Sequence, residues 1–174
     1  MRIVAFDMGK HNFAWAKVYI PNDDKLLSRC VVEEFDLLSL DNRNIYRSLH
    51  DYLVSNEHKW LDCEVVLIEQ QMKTNITALK LSQHVMAFWL IRHPDKNCIE
   101  FSSVHKTRTF GLTNATKQQR KKFTIDCATK ILAHDPVVTE LFNMHSKKDD
   151  ISDCILMCMA YGCRYVQLIN DLQI

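Results

Sequence analysis

The sequence predicts an α/β fold in which helices flank a five-stranded mixed sheet. Three β-rich segments come first, and helical segments then alternate with two more, an order typical of a sheet covered by helices. One segment, EVVLIE at residues 64–69, is a short apolar run of the kind that forms a buried central strand. The length of 174 residues fits one domain, so we expect residues 1–174 to form a single domain.

The spacing of apolar residues predicts each element in turn. Alternating or continuous apolar runs predict strands at residues 2–7, 13–20, 26–35, 64–69 and 98–104. A turn is expected at residues 21–24, where a proline and three polar residues follow the second strand. Apolar residues that recur three or four positions apart predict helices at residues 42–55, 74–91, 117–132 and 148–167.

The composition excludes several classes of protein. No run approaches the roughly 20 apolar residues that span a bilayer, and the first strand, which carries an acid, does not resemble a signal peptide. The chain has 3 glycines, too few for a glycine-rich phosphate loop. Its 7 cysteines, an odd number without a secretory signal, favour reduced thiols. We therefore expect an intracellular protein that does not bind membranes.

The charge is balanced over the whole chain but not along it. The formal net charge is +1, whereas residues 101–134 carry 7 basic side chains and 1 acidic one. Residues 135–174 carry 6 acidic and 3 basic side chains. A basic block beside an acidic one suits a polyanion held near bound metal ions. A solvated helix face explains the basic block equally well.

Two acids stand at the ends of predicted strands. Asp7 ends the first strand and Glu69 ends the fourth, each after an apolar run that we expect to be buried. If these strands are neighbours, the two carboxylates converge at one edge of the sheet, where ligands of such sheets gather. A carboxylate that ends a strand is more often a loop or cap residue, so each acid alone is weak evidence.

Three more acids precede the apolar part of the last predicted helix. Asp150 and Asp153 are three residues apart and share one helix face, and Asp149 is adjacent. Capping of the helix explains one of these acids well, but not all three. Carboxylates that converge need cations to neutralise them, and oxygen ligands favour Mg²⁺ or Mn²⁺ over zinc. Two such ions about 3.5–4 Å apart support phosphodiester hydrolysis.

Four segments in order resemble the RuvC-like Holliday junction resolvases of the RNase H-like superfamily. They are DMGKHN from Asp7, IEQQMKTNITALKLSQ at 68–83, SVHKTRTFGLTNATKQQ at 103–119, and the aspartates at 150 and 153. The resemblance is greatest to the resolvases of poxviruses and other large DNA viruses. It implies an RNase H-like fold and a homodimeric, metal-dependent endonuclease that cuts four-way DNA junctions by symmetrical paired nicks.

The resemblance also implies roles for individual residues. Asp7, Glu69, Asp150 and Asp153 correspond to the catalytic metal ligands, with Asp149 as the alternative to Asp150. They would hold two Mg²⁺ ions per active site, for which Mn²⁺ would substitute, and no small-molecule cofactor is expected. The implied partner is branched DNA, cut during recombination or viral replication in the host cytoplasm.

The expected DNA contacts follow from the same motifs. Lys106 and Lys117 align with family lysines that contact phosphates, a role that suits a point charge. Met72 stands where bacterial members place an aromatic wedge, and methionine stacks less strongly on bases. Gln70 is equally explained as a loop residue, and Asn75 as the N-cap of the following helix. The full set of expected DNA contacts is Lys106, Lys117, Gln70, Met72, Lys73, Asn75, Arg120 and Lys121.

Two other functions use the same kind of site. An RNase H-type nuclease that cuts RNA–DNA hybrids would carry the same metal ligands, and its substrate preference would depend on the surrounding surface. A non-catalytic protein that binds branched DNA would not need all four acids. The segment at 68–83 favours the resolvase. For the predicted helix 74–91, core packing is the default role, and dimerisation is the alternative that the family suggests.

Overall fold

The computed structural model describes residues 1–21, 29–41 and 43–172, with side chains described as far as Arg164. The strands are β1 (Arg2–Asp7), β2 (Phe13–Tyr19), β3 (Val31–Leu38), β4 (Val65–Glu69) and β5 (Asn97–Phe101). The helices are α1 (Ile45–Asn56), α2 (Ile76–Arg92), α3 (Ser103–Arg108), α4 (Lys117–Leu132), α5 (Pro136–Met144) and α6 (Lys148–Leu172). A short 3-10 helix, Glu57–Lys59, follows α1.

The five strands form one mixed sheet in the order β3-β2-β1-β4-β5. The pairs β1–β2 and β2–β3 are antiparallel, whereas β1–β4 and β4–β5 are parallel. In the parallel pair at the centre, Phe6 lies opposite Ile68. The next residue on each strand is an acid, so Asp7 and Glu69 leave the sheet at the same edge. The predicted five-stranded mixed sheet flanked by helices is confirmed.

The central strand β1 is buried on both faces, which gives the fold two hydrophobic layers. Ile3 and Ala5 point to the layer that α6 completes. Val4 and Phe6 point to the opposite layer, which α1 and α2 cover. In that second layer the Phe6 ring meets the Trp60 ring edge-on, with centroids 5.1 Å apart. A slip of β1 by one residue would exchange the side chains of the two layers and draw Arg2 or Asp7 toward the core, so packing on both faces fixes where Asp7 emerges.

Capping side chains fix where the helices near the sheet edge begin. Asn75 Oδ1 accepts a hydrogen bond from the Ala78 amide, which starts α2. Thr116 and Gln119 form a capping box that starts α4. Helix α6 begins with Lys148, Asp149 and Asp150, and it is buried at Ile151, at Ser152 and from Cys154 to Ala160. The acids of α6 therefore lie at the rim of the core, close to the sheet edge.

Several predicted boundaries are wrong. The third strand begins at Val31 and runs to Leu38, because its extent is set by pairing with the whole of β2. The fifth strand ends at Phe101, and α3 follows where strand was predicted. Helix α5 was not predicted, although Asp135 caps it and Pro136 opens it. Residues 22–24 of the predicted turn, 26–28 of the third strand and residue 42 lie outside the described residues.

Over the residues that the structure describes, no helix is both long enough and apolar enough to cross a membrane. Cys154 and Cys158 are free thiols, and burial raises their pKa well above the usual range. These two thiols pack as small apolar side chains against β1 and β2.

The close approach of α6 to the sheet predicts that Gly162→Ala destabilises the protein. A Cβ at Gly162 would lie 2.9 Å from Cγ2 of Ile20, a side chain that is fully buried. In an open helix, alanine would gain stability over glycine. Here we expect the free energy of unfolding, measured in urea, to fall by about 1–2 kcal/mol because of overpacking. In an Ile20→Ala background the same change is expected to be neutral or stabilising; equal losses in both backgrounds would contradict the packing explanation.

Candidate active site

Two acids meet at the edge of the sheet where β1 and β4 end. Asp7 is the last residue of β1 and Glu69 the last of β4. Their side chains hydrogen-bond to each other. Burial, together with the charge of Glu69, holds the pKa of Asp7 well above its usual range. Of the pair, Asp7 is therefore the carboxyl that takes up a proton first, and when protonated it donates the hydrogen bond to the Glu69 carboxylate.

A buried lysine of α3 lies among the acids. Lys106 Nζ is 2.9 Å from Oε1 of Glu69 and 2.6 Å from Oδ2 of Asp153. Only 6% of the Lys106 residue is exposed. Burial lowers the pKa of Lys106, but the charges of Glu69, Asp153 and Asp7 outweigh burial and raise it. The ammonium therefore stays charged and neutralises part of the acidic charge.

Lys106 also decides the ionisation of Glu69. Burial raises the pKa of Glu69, but the Lys106 charge and the hydrogen bonds from Asp7, Lys106 and Gln71 outweigh burial, so this pKa lies below its usual value. Gln71 donates to Glu69 through Nε2, 3.3 Å from Oε2. The pKa values of these two adjoining carboxyls are thus shifted in opposite directions, Glu69 downward and Asp7 upward.

Asp153 projects from α6 and is supported by α4. Burial raises its pKa, against the opposing effects of Lys106 and of a hydrogen bond with Thr124. Thr124 is 1% exposed, and its hydroxyl is also 3.0 Å from the carbonyl oxygen of Lys121. Sequence reasoning missed Thr124 and Gln71. Gln71 adjoins a predicted ligand, whereas the only signal for Thr124 is a polar residue on the buried face of a helix.

Asp150 lies beside Asp153 and beyond the contacts of Lys106. Its Oδ2 is buried and has no hydrogen-bond partner among the described residues. Burial, with the neighbouring charge of Asp149, raises the pKa of Asp150 to about 6. Asp149 itself forms an ion pair with Lys121, and this pairing outweighs burial and lowers the pKa of Asp149. Of the two alternatives, Asp150 therefore has the free oxygen. We refer to Asp7, Glu69, Asp150 and Asp153 as the acid cluster.

The chemistry of the acid cluster fits Mg²⁺ or Mn²⁺. Its donors are all carboxylate oxygens, the ligands that these hard cations prefer. Asp150 offers an unpartnered buried oxygen, and burial together with Glu69 disfavours the charge on Asp7, a penalty that a bound cation would offset. Among the described residues, no three His, Cys, Asp or Glu side chains are already spaced around one point as metal ligands. The Lys106 ammonium lies between Glu69 and Asp153, so an ion bound there would compete with it.

In the loop that follows β1, the backbone of Gly9 lies close to the backbone of Asn12. A Cβ at Gly9 would lie 2.6 Å from the carbonyl oxygen of Asn12. Any larger residue would push this backbone apart, and the displacement would reach Asp7, two residues away. The glycine of the DMGKHN motif thus serves the geometry of the acid cluster rather than a phosphate loop.

Most of the expected DNA contacts lie on the surface beside the acid cluster. Met72 is 75% exposed in the loop that follows Glu69. Asn75 is the N-cap of α2, and Lys121 is held by Asp149. Lys106 is buried, unlike the other expected contacts. The exposed residues of the β4–α2 loop and the first turn of α4 are Gln70, Met72, Lys73, Asn75, Lys117 and Arg120.

Comparisons with solved structures show the fold. The chain superposes on the fowlpox virus resolvase in complex with Holliday junction DNA with a TM-score of 0.66 and 19% identity, over 97% of this chain and 99% of that one. It superposes on Thermus thermophilus RuvC with a TM-score of 0.67 and 14% identity, over 95% and 98% of the two chains. The expected RNase H-like fold of RuvC-like resolvases is confirmed.

Comparisons of sequence place the chain among proteins of large DNA viruses. It is 28% identical over 203 residues to the uncharacterized protein 97L of Invertebrate iridescent virus 3, covering 91% of this chain and 98% of that protein. The sequence profile described as poxvirus A22 protein matches residues 1–165. The expected relationship to the poxvirus branch is thereby confirmed. Because the profile match covers nearly the whole chain, the chain belongs to the poxvirus A22 protein family.

Proposed function

We propose that the protein is a metal-dependent, structure-specific DNA endonuclease that resolves four-way junctions by symmetrical paired nicks. The observation that carries this proposal is the position of the acid cluster, at a sheet edge bordered by exposed candidate DNA contacts. The fold supports it, because the fowlpox virus protein of the same fold is a resolvase solved with a Holliday junction. The proposed setting is recombination and the processing of viral replication intermediates in the host cytoplasm. Residues 1–174 would act as one nuclease domain.

The acid cluster would hold the metal through Asp7, Glu69, Asp150 and Asp153. Two bound Mg²⁺ ions would supply activation of a water and stabilisation of the leaving 3′ oxygen. Beside them, Lys121 holds Asp149 in an ion pair. Thr124 and Gln71 orient Asp153 and Glu69 through hydrogen bonds. Lys106 brings a fixed positive charge to the same place, which suits a site that must accept a phosphate between carboxylates.

The surface beside the acid cluster suits distorted DNA. Met72 presents an exposed apolar side chain three residues after Glu69, where an apolar wedge could separate neighbouring bases. Lys73 lies beside Met72, and Lys117 and Arg120 are exposed on α4. These basic side chains would bind phosphates on either side of the two neighbouring bases that the wedge separates. This arrangement favours a branched substrate over a regular hybrid duplex.

A homodimer would match the symmetry of the substrate. A four-way junction has near two-fold symmetry, and two symmetrical nicks need two active sites. Helix α2 presents Ile76, Leu90 and Ile91 on its outer side, and each is more than half exposed. We propose that this outer side of α2 is the dimer interface, while its inner side packs in the core.

The resolvase function predicts selective cutting with Mg²⁺. We expect the protein to introduce paired nicks at symmetrical positions in an immobile four-way DNA junction. A linear duplex and an RNA–DNA hybrid of matched length should remain intact. Denaturing gels of end-labelled strands measure the outcome, with EDTA and Asp7→Asn as controls that abolish cutting but retain junction binding. Cutting of the hybrid alone would replace this function with that of an RNase H-type nuclease.

The raised pKa of Asp150 predicts that replacing this residue by a neutral one stabilises the folded protein at high pH. Its pKa is raised to about 6 in the folded protein, so the penalty for ionising Asp150 is absent below about pH 4 and complete above about pH 6. We expect Asp150→Asn to raise the free energy of unfolding by about 1–2 kcal/mol at pH 8 in EDTA, a figure reduced because solvent screens a partly exposed carboxyl. At pH 4 we expect no change in the free energy of unfolding. Thermal and urea unfolding measure both.

Asp149→Asn is the matched control for that experiment. Its partner Lys121 lowers the pKa of Asp149, so neutralising Asp149 should destabilise the protein at pH 8. Mn²⁺ should then raise the melting temperature of the wild type and of Asp149→Asn more than that of Asp150→Asn. Equal responses of the two variants to Mn²⁺ would remove Asp150 from the metal ligands.

A further inference from the structure

A basic pocket lies outside the acid cluster, between α3 and the last residues of α6 whose side chains the structure describes. It has a volume of about 340 Å³ and is lined by His105, Arg108, Thr109, Cys163 and Arg164. Burial raises the pKa of the Cys163 thiol, so this side chain forms a neutral wall rather than an anion. The charges that reach the pocket therefore come from two guanidinium groups, with an imidazole beside them.

The two arginines of the pocket lack acidic partners, in contrast to others in the protein. Four arginines of the chain, Arg2, Arg43, Arg47 and Arg92, pair with a carboxylate. Arg108 and Arg164 have no such partner among the side chains that the structure describes, and both are exposed. Two guanidiniums that line one pocket create a positive potential there, which favours the binding of an anion. The planar forks of arginine suit the oxygens of a phosphate in particular.

The pocket is aligned with the acid cluster along α6. Asp153 and Arg164 are 11 residues apart, which is about three helical turns, so the two side chains leave the same face of the helix. Helix α3 packs on α6 between them, with Lys106 bound to Asp153 and Arg108 in the pocket. The separation along the axis is about 16 Å, or roughly five nucleotides of a DNA strand.

We infer that this pocket binds one backbone phosphate of the DNA arm that leaves the acid cluster along α6. This inference rests on the proposed function and extends it, because it adds Arg108 and Arg164 to the DNA-binding surface. The two arginines would clamp the same phosphate, and His105 would line its remaining side. A phosphate contact carries no base information, so the pocket would set the position of the arm rather than a sequence preference.

The test is the salt dependence of junction binding by the double variant Arg108→Ala/Arg164→Ala. Fluorescence anisotropy with a labelled four-way junction, without divalent ions, gives Kd from 50 to 300 mM NaCl. We expect the slope of log K against log[NaCl] to become less negative by about 0.9, the value for one phosphate. Binding at 100 mM salt should weaken by about tenfold. The double variant Arg108→Lys/Arg164→Lys should retain the wild-type slope, because it keeps both charges.

Arg47→Ala is the control variant. Arg47 is an exposed arginine of α1, on the other face of the sheet, and it pairs with Asp51. It should bind the junction with wild-type affinity and slope, and all variants should melt at the wild-type temperature. An Arg108→Ala/Arg164→Ala protein with the slope and Kd of Arg47→Ala would overturn the inference.

The outcome separates this inference from the proposed function. If the wild type cuts junctions and the double alanine variant binds them normally, only the phosphate pocket is wrong. If the wild type cuts RNA–DNA hybrids instead, while the slope of the double alanine variant becomes less negative as expected, the pocket stands and the resolvase function does not. A wild-type protein that binds no DNA overturns both.

Discussion

Buried carboxylates at the edge of one sheet are compatible with a folded chain because a cation lies among them. Lys106 bridges Glu69 and Asp153, and it draws α3 against α6 in doing so. Burial raises the pKa of Asp7 and of Asp150, so both carboxyls take up protons more readily than exposed aspartates do. The site therefore carries less negative charge than its four acids suggest. An isolated charge in such a place would cost several kcal/mol.

The same constraint connects the fold to the proposed chemistry. The sheet supplies two acids because β1 and β4 are parallel neighbours that end at one edge. Helix α6 supplies the other two because its polar first turns lie at the rim and its apolar turns lie in the core. Bound metal ions would share with Lys106 the neutralisation of these acids. Binding of divalent ions should thus be coupled to proton release and to the position of Lys106.

The features of the structure that depend on local patterns of apolar residues could be predicted from the sequence. The apolar runs before Asp7 and Glu69 predict buried strands, and parallel pairing of those strands then brings the acids together. The burial of Lys106 depends on helix α3. The apolar residues at 98–104 predict a strand up to the point where α3 begins, so the sequence does not indicate this helix. The ends of β3 depend on pairing with β2, and the role of Thr124 depends on how α4 packs on α6. Such features come from tertiary contacts, and local periodicity does not report them.

The most direct measurement is a crystal structure of the protein soaked in Mn²⁺, with data collected for anomalous scattering. We expect anomalous peaks bounded by the carboxylates of Asp7, Glu69, Asp150 and Asp153. An Asp150→Asn crystal treated in the same way should show weaker peaks. Absence of a peak at the acid cluster in the wild type, or binding of Mn²⁺ only elsewhere on the chain, would contradict the assignment of these acids as a metal site.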